Sequence, residues 1–167
     1  MATVTHFLQP EEAQYLATAF PALVKTNGTN FPVSGLAFDA ATDEAAFWKF
    51  IATNYGSGNL TVTIFWYADT ASSGDVIFDV QITAITPNTD STDVETDSLA
   101  TANSATDSHL GTTGQRVHSV DVTVSNLDSV AAGDVVFLRL NRDANNASDT
   151  MTGDAIVLGV TVAYSDT

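Results

Sequence analysis

A chain of 167 residues, 44% of them hydrophobic and 9% aromatic, is long and apolar enough to fold as one domain around its own core, which excludes a disordered chain. Twenty acidic residues against five Lys and Arg give a formal net charge of −15, so nucleic acid and anionic membrane surfaces are not expected as direct partners. The absence of cysteine removes disulfides, thiolate catalysis and Cys-based zinc sites, and no run approaches the roughly 18 apolar residues of a membrane span.

The start of the chain, Met1 to Gln9, lacks a basic segment followed by an apolar run, so no secretory signal is expected. Residues 1–30 stand apart from the rest of the chain. Gln9-Pro10-Glu11-Glu12 puts a proline and two acids where a helix begins, but Pro21 and Gly28 end it early, which predicts a short helix or an extended arm. Phe7, Leu8, Tyr15, Leu16 and Phe20 make this arm apolar. Such a segment must dock on its own domain, on a sister subunit or on another surface, and these five residues are interface candidates.

From Phe31 the dominant signal is alternation with period two. Leu60, Val62, Ile64 and Trp66 share one face of an extended segment, while Thr61, Thr63, Phe65 and Tyr67 share the other. Strands are predicted at residues 34–38, 45–53, 59–67, 75–86, 116–125, 134–141 and 154–164, with an eighth, weak strand allowed in the arm, and turns at Gly56-Ser57-Gly58-Asn59, Ser72-Ser73-Gly74-Asp75 and Ala132-Gly133-Asp134. No helix separates them, so the sheets should be antiparallel. The expected fold is an all-β, two-sheet sandwich, a jelly roll, over residues 31–167. Val135 and Phe137, on the strand face opposite Val136, Leu138 and Leu140, complete the interface candidates. Residues 87–115, poor in large apolar side chains, read as one long exposed contact loop.

No pattern defines a catalytic, cofactor or metal site. Asp90, Asp93, Glu95 and Asp97 lack the glycine and terminal glutamate of a calcium-binding loop, and Arg142 beside Asp143, Asn145 and Asp149 points to a salt-bridged turn. Asp107-Ser108-His109 has the residue types of a nucleophilic triad, but adjacent loop positions cannot orient base and nucleophile. His118 falls in register with Val120 and Val122, as a sheet histidine would. Asp39 with Asp43 or Glu44 is a pair of the kind used in glycoside hydrolysis, although chance pairs are expected among 20 acids.

The run Phe38-Asp39-Ala40-Ala41-Thr42-Asp43-Glu44-Ala45-Ala46-Phe47-Trp48, then Gly58-Asn59-Leu60-Thr61-Val62-Thr63-Ile64-Phe65-Trp66 and Ser73-Gly74-Asp75-Val76, resembles small virion-associated β-sandwich proteins of tailed bacteriophages. So does Asp134-Val135-Val136-Phe137-Leu138-Arg139-Leu140-Asn141-Arg142-Asp143-Ala144, followed by Asp149-Thr150-Met151-Thr152-Gly153-Asp154-Ala155. The resemblance covers residues 31–164 and carries no catalytic residues. It implies a non-enzymatic virion protein without cofactor: a capsid decoration or cement protein, often a homotrimer, that bridges major capsid subunits. A tail or head-fibre receptor-binding or carbohydrate-binding module is the alternative, with Trp48, Trp66 or Tyr67 as a stacking platform for a glycan.

Overall fold

The computed structural model describes residues 2–167. Among these residues ten strands form two antiparallel sheets: β1 (Thr3–Leu8), β2 (Ala22–Asn27), β3 (Pro32–Phe38), β4 (Glu44–Ile51), β5 (Tyr55–Ala68), β6 (Asp75–Ile85), β7 (Asn103–Ser108), β8 (His118–Val124), β9 (Val135–Arg142) and β10 (Ala155–Asp166). The larger sheet runs β2-β3-β10-β5-β8, with β1 also on β10, and the smaller runs β4-β9-β6-β7. Strands β3 to β10 are divided between the sheets in the 3-10-5-8 and 4-9-6-7 orders of a jelly roll, the fold expected from the sequence.

The alternation is realised residue by residue. Along β5, Leu60, Val62, Ile64, Trp66 and Ala68 are buried between the sheets, against Phe78, Val80 and Ile82 of β6 and Leu138 and Leu140 of β9. Trp66 meets Phe78 edge to face with ring centroids 6.2 Å apart.

Residues 2–30 do not project from this sandwich. β1 pairs with the second half of β10 and β2 extends the sheet beyond β3, so the expected boundary at residue 30 runs inside one sheet. The expected helix is a single 3-10 turn, Pro10–Glu12. Leu8 is 5% exposed and belongs to the core, which corrects its place among the interface candidates: β1 alternates, and Leu8 falls on the inward side. Residues 87–115 are not one loop either. Within them β7 pairs with β6, its Ala105 packed on the core.

A groove on the outer face of the larger sheet

Because Trp66 points inward, its neighbour Tyr67 points out, opposite Ile156 of β10, which in turn lies opposite Ala37 of β3. At Gly35 the strands run so close that an added Cβ would stand 2.7 Å from the Ile156 side chain and 2.9 Å from the Val157 carbonyl. Register slips between Val157 and Gly159, leaving Leu158 in a bulge. These strands form the floor of an open groove of about 580 Å³. Phe31 and Pro32 wall it on one side and Val117 and Gln115 on the other; Phe31 is 69% exposed and Val117 58%.

The groove is graded. At its apolar end are Phe31, Val33, Val117 and Leu158; Tyr67, Thr26 and Gln115 lie in the middle and also line an adjoining depression that contains Asp69 and Asp154. The Gln115 amide donates to the Asp69 carbonyl (2.6 Å), which leaves its own oxygen free to accept. Burial, reinforced by the negative charges of Asp69 and Asp39, pushes the Asp154 carboxyl above the usual range. Asp69 Oδ1 accepts from the Asp154 backbone N–H (2.9 Å) and the Thr70 hydroxyl (3.0 Å), so this carboxylate ties two turns together.

The other constellations are absorbed by the fold. Asp107 accepts from Trp66 Nε1 (2.9 Å), Ser108 donates to Asp75 (2.5 Å) and His109 bonds within its own loop, so the three side chains serve three separate partners. Asp149 pairs with Arg142, Asn145 bonds Asp43, and Asp143 accepts from Asn146. Asp90, Asp93 and Asp97 accept backbone N–H groups of their own turns. Asp39 takes the N–H groups of Ala41 and Thr42, which hold its carboxyl low, while burial raises Glu44, whose oxygen accepts the Asp39 N–H. No group of three or more metal-ligating side chains converges among the described residues.

The expected tryptophan platform is not there: Trp48 and Trp66 are both buried, Trp48 donating to the Gln9 carbonyl (2.8 Å), because both fall on inward registers. Of the expected aromatics only Tyr67 reaches a surface groove, and Phe31, Val117 and Gln115 were missed. Phe31 and Gln115 sit in a bend and a turn, and Val117 just before β8, where no periodicity marks direction. The remaining interface candidates lie elsewhere. Phe7 covers Gly159, where an added Cβ would meet its ring at 2.6 Å; Tyr15, Leu16 and Phe20 are exposed, with the two rings 5.5 Å apart; and Val135 and Phe137 are half-buried on the outer face of the smaller sheet.

No protein-family model and no curated protein sequence matches this chain. Among solved structures it is similar to the family 11 carbohydrate-binding module from Clostridium thermocellum in complex with a β-1,3-1,4-mixed-linked tetrasaccharide (6% identity, 96% of this chain and 86% of that one, TM-score 0.47). It is also similar to CBM35 from Cellvibrio japonicus Abf62 (16%, 98% and 99%, 0.46) and to a non-crystalline cellulose-specific module, CBM28 (10%, 91% and 85%, 0.48). These figures carry no functional weight; the jelly-roll assignment rests on the strand order.

Proposed function

We propose that this chain is a non-enzymatic glycan-binding jelly roll that works on the virion of a tailed bacteriophage. The observation that carries the binding role is the Tyr67 groove: a mostly apolar channel of about 580 Å³ with a few hydrogen-bonding groups at its middle, the composition of a small-ligand site. Saccharide rings offer apolar faces for Tyr67 and Phe31 and hydroxyls for Gln115, Thr26 and Ser34. Asp69 and Asp154 at one end, in a chain of net charge −15, favour neutral or amino sugars over uronates and sulfated sugars. The virion setting and host-cytoplasm assembly rest on the resemblance of residues 31–164 to phage β-sandwich proteins.

The test is titration calorimetry with neutral, amino and acidic oligosaccharides. Neutral or amino saccharides bind, and Tyr67→Ala weakens them about tenfold, the equivalent of about 1.4 kcal/mol. Recovery of intact saccharide supports a binding module, whereas cleavage products would assign Asp154 and Asp69 an enzymatic role. A Tyr67→Ala protein with unchanged affinity would exclude the groove as the binding site.

The capsid-cement reading is favoured by a different observation, the exposed cluster of Tyr15, Leu16 and Phe20. It predicts that Leu16→Asp abolishes attachment to undecorated capsids while leaving saccharide binding intact.

A further inference from the structure

Beneath the groove wall lies a buried cluster of aromatic and ionisable groups. His118, at the start of β8, stacks on Trp66 with centroids 4.5 Å apart and 20° between the rings, and His109 stands 4.7 Å from His118. The groups that face His118 are Trp66 from β5, Asp107 from β7, and His109 and Arg116 from the connection between β7 and β8. His118 is buried and its Nε2 has no hydrogen-bond partner among the described residues. Burial first, then the charges of His109 and Arg116, hold its pKa below the ordinary histidine value, with Asp107 acting in the opposite sense.

His109 closes the loop on its C-terminal side. Its Nδ1 accepts the Gly111 N–H (3.0 Å), which leaves the proton on Nε2 to donate to the Gly114 carbonyl (2.9 Å). Between these contacts Gly111 and Thr112 adopt φ of +72° and +66°, and a β-branched threonine is strained there. Just beyond them stand Gln115 and Val117, the wall of the groove. One neutral imidazole ring therefore holds a strained turn in the shape that the wall requires.

We infer that His118 operates a proton latch: while it is neutral, the turn closed by His109 positions Gln115 and Val117, and proton uptake at His118 releases the loop and dismantles the groove wall. The His118 cation would carry a buried Nε2 donor without an acceptor among the described residues. With the rings 4.7 Å apart, a charge on one also opposes a charge on the other. His118 takes up a proton more readily in the released loop than in the closed one, so the closed population falls as pH drops below the unperturbed histidine value near 6.5, by up to about tenfold per pH unit.

The latch rests on the groove reading only for its consequence for binding, and amide exchange on the intact protein tests it separately. Between pH 7.5 and 5.5, protection of residues 111–117, corrected for intrinsic exchange, drops by about tenfold while that of β10 holds. His118→Phe keeps the stack and removes the orphan nitrogen. It flattens the profile; His6→Gln, at the far end of the sandwich, leaves it unchanged. Protection independent of pH in the unmodified protein, or a pH response that survives His118→Phe, would overturn the latch. If the loop responds but no saccharide binds at either pH, the glycan-binding role fails and the latch stands. If saccharide binds equally at both pH values, the latch has no role at the groove.

Discussion

Two connections in this molecule meet the same problem, a polar turn that must lie against the sandwich, and they meet it with unequal security. After β9, residues 143–154 are fastened by Arg142, whose five N–H donors are all used: two on Asp149 (2.8 and 3.0 Å) and three on the carbonyls of Phe38, Met151 and Gly153. Asp149 also takes the Ile77 N–H, and the ion pair is fully buried, the one such pair among the described residues. After β7, residues 109–117 are fastened by the His109 ring, by its backbone N–H on the Gly74 carbonyl (2.9 Å) and by the Gln115 amide on the Asp69 carbonyl, and they rest beside a second ring with an unpartnered nitrogen. The difference teaches that a fully satisfied buried network makes a permanent strut, whereas a partly satisfied one makes a part that can move. The movable connection is the one that borders the groove.

The largest expected effect removes the base of the looser connection. Trp66→Ala deletes the ring on which His118 stacks and the donor to Asp107, and should cost about 3 to 5 kcal/mol in chemical denaturation. An unchanged denaturation midpoint would contradict the inward placement of β5. Arg142→Met should cost a similar or slightly smaller amount, about 3 to 4 kcal/mol, because Asp149 is left buried without its partner. Restoring most of that stability with Asp149→Leu in the Arg142→Met background would sharpen the comparison, since the penalty belongs to the unpaired charge. Gln115→Ala is the smallest: stability stays within about 0.5 kcal/mol, as for an exposed side chain, while saccharide affinity falls several-fold. A larger loss of stability than of affinity would show that Gln115 serves the loop alone.

The two connections also differ in how far the sequence disclosed them. Arg142 beside Asp143 and Asp149 announced a salt-bridged turn, because opposite charges a few residues apart in a loop have few other uses, and the ion pair is there. The seven strands read from alternation are present with shifts of a few residues at their ends, since burial on one face writes itself into every second position. The edge strands were read only as one weak strand in the arm or missed. β7 reads Asn-Ser-Ala-Thr-Asp-Ser, with one small apolar residue to mark its inner face, and β1 and β2 have solvated sides that blur the pattern. The groove was legible only at Tyr67. His109 and His118 read as unrelated residues, for nothing in their spacing tells that Trp66 brings them together.

The most direct test of glycan binding in the Tyr67 groove is to map saccharide contacts on the isotopically labelled protein by NMR. Chemical-shift changes are expected to be confined to Thr26, Phe31 to Ser34, Tyr67, Gln115, Val117 and Leu158, the residues that enclose the groove. Shifts that cluster instead around Tyr15, Leu16 and Phe20 or around Val135 and Phe137, with the groove silent, would contradict it.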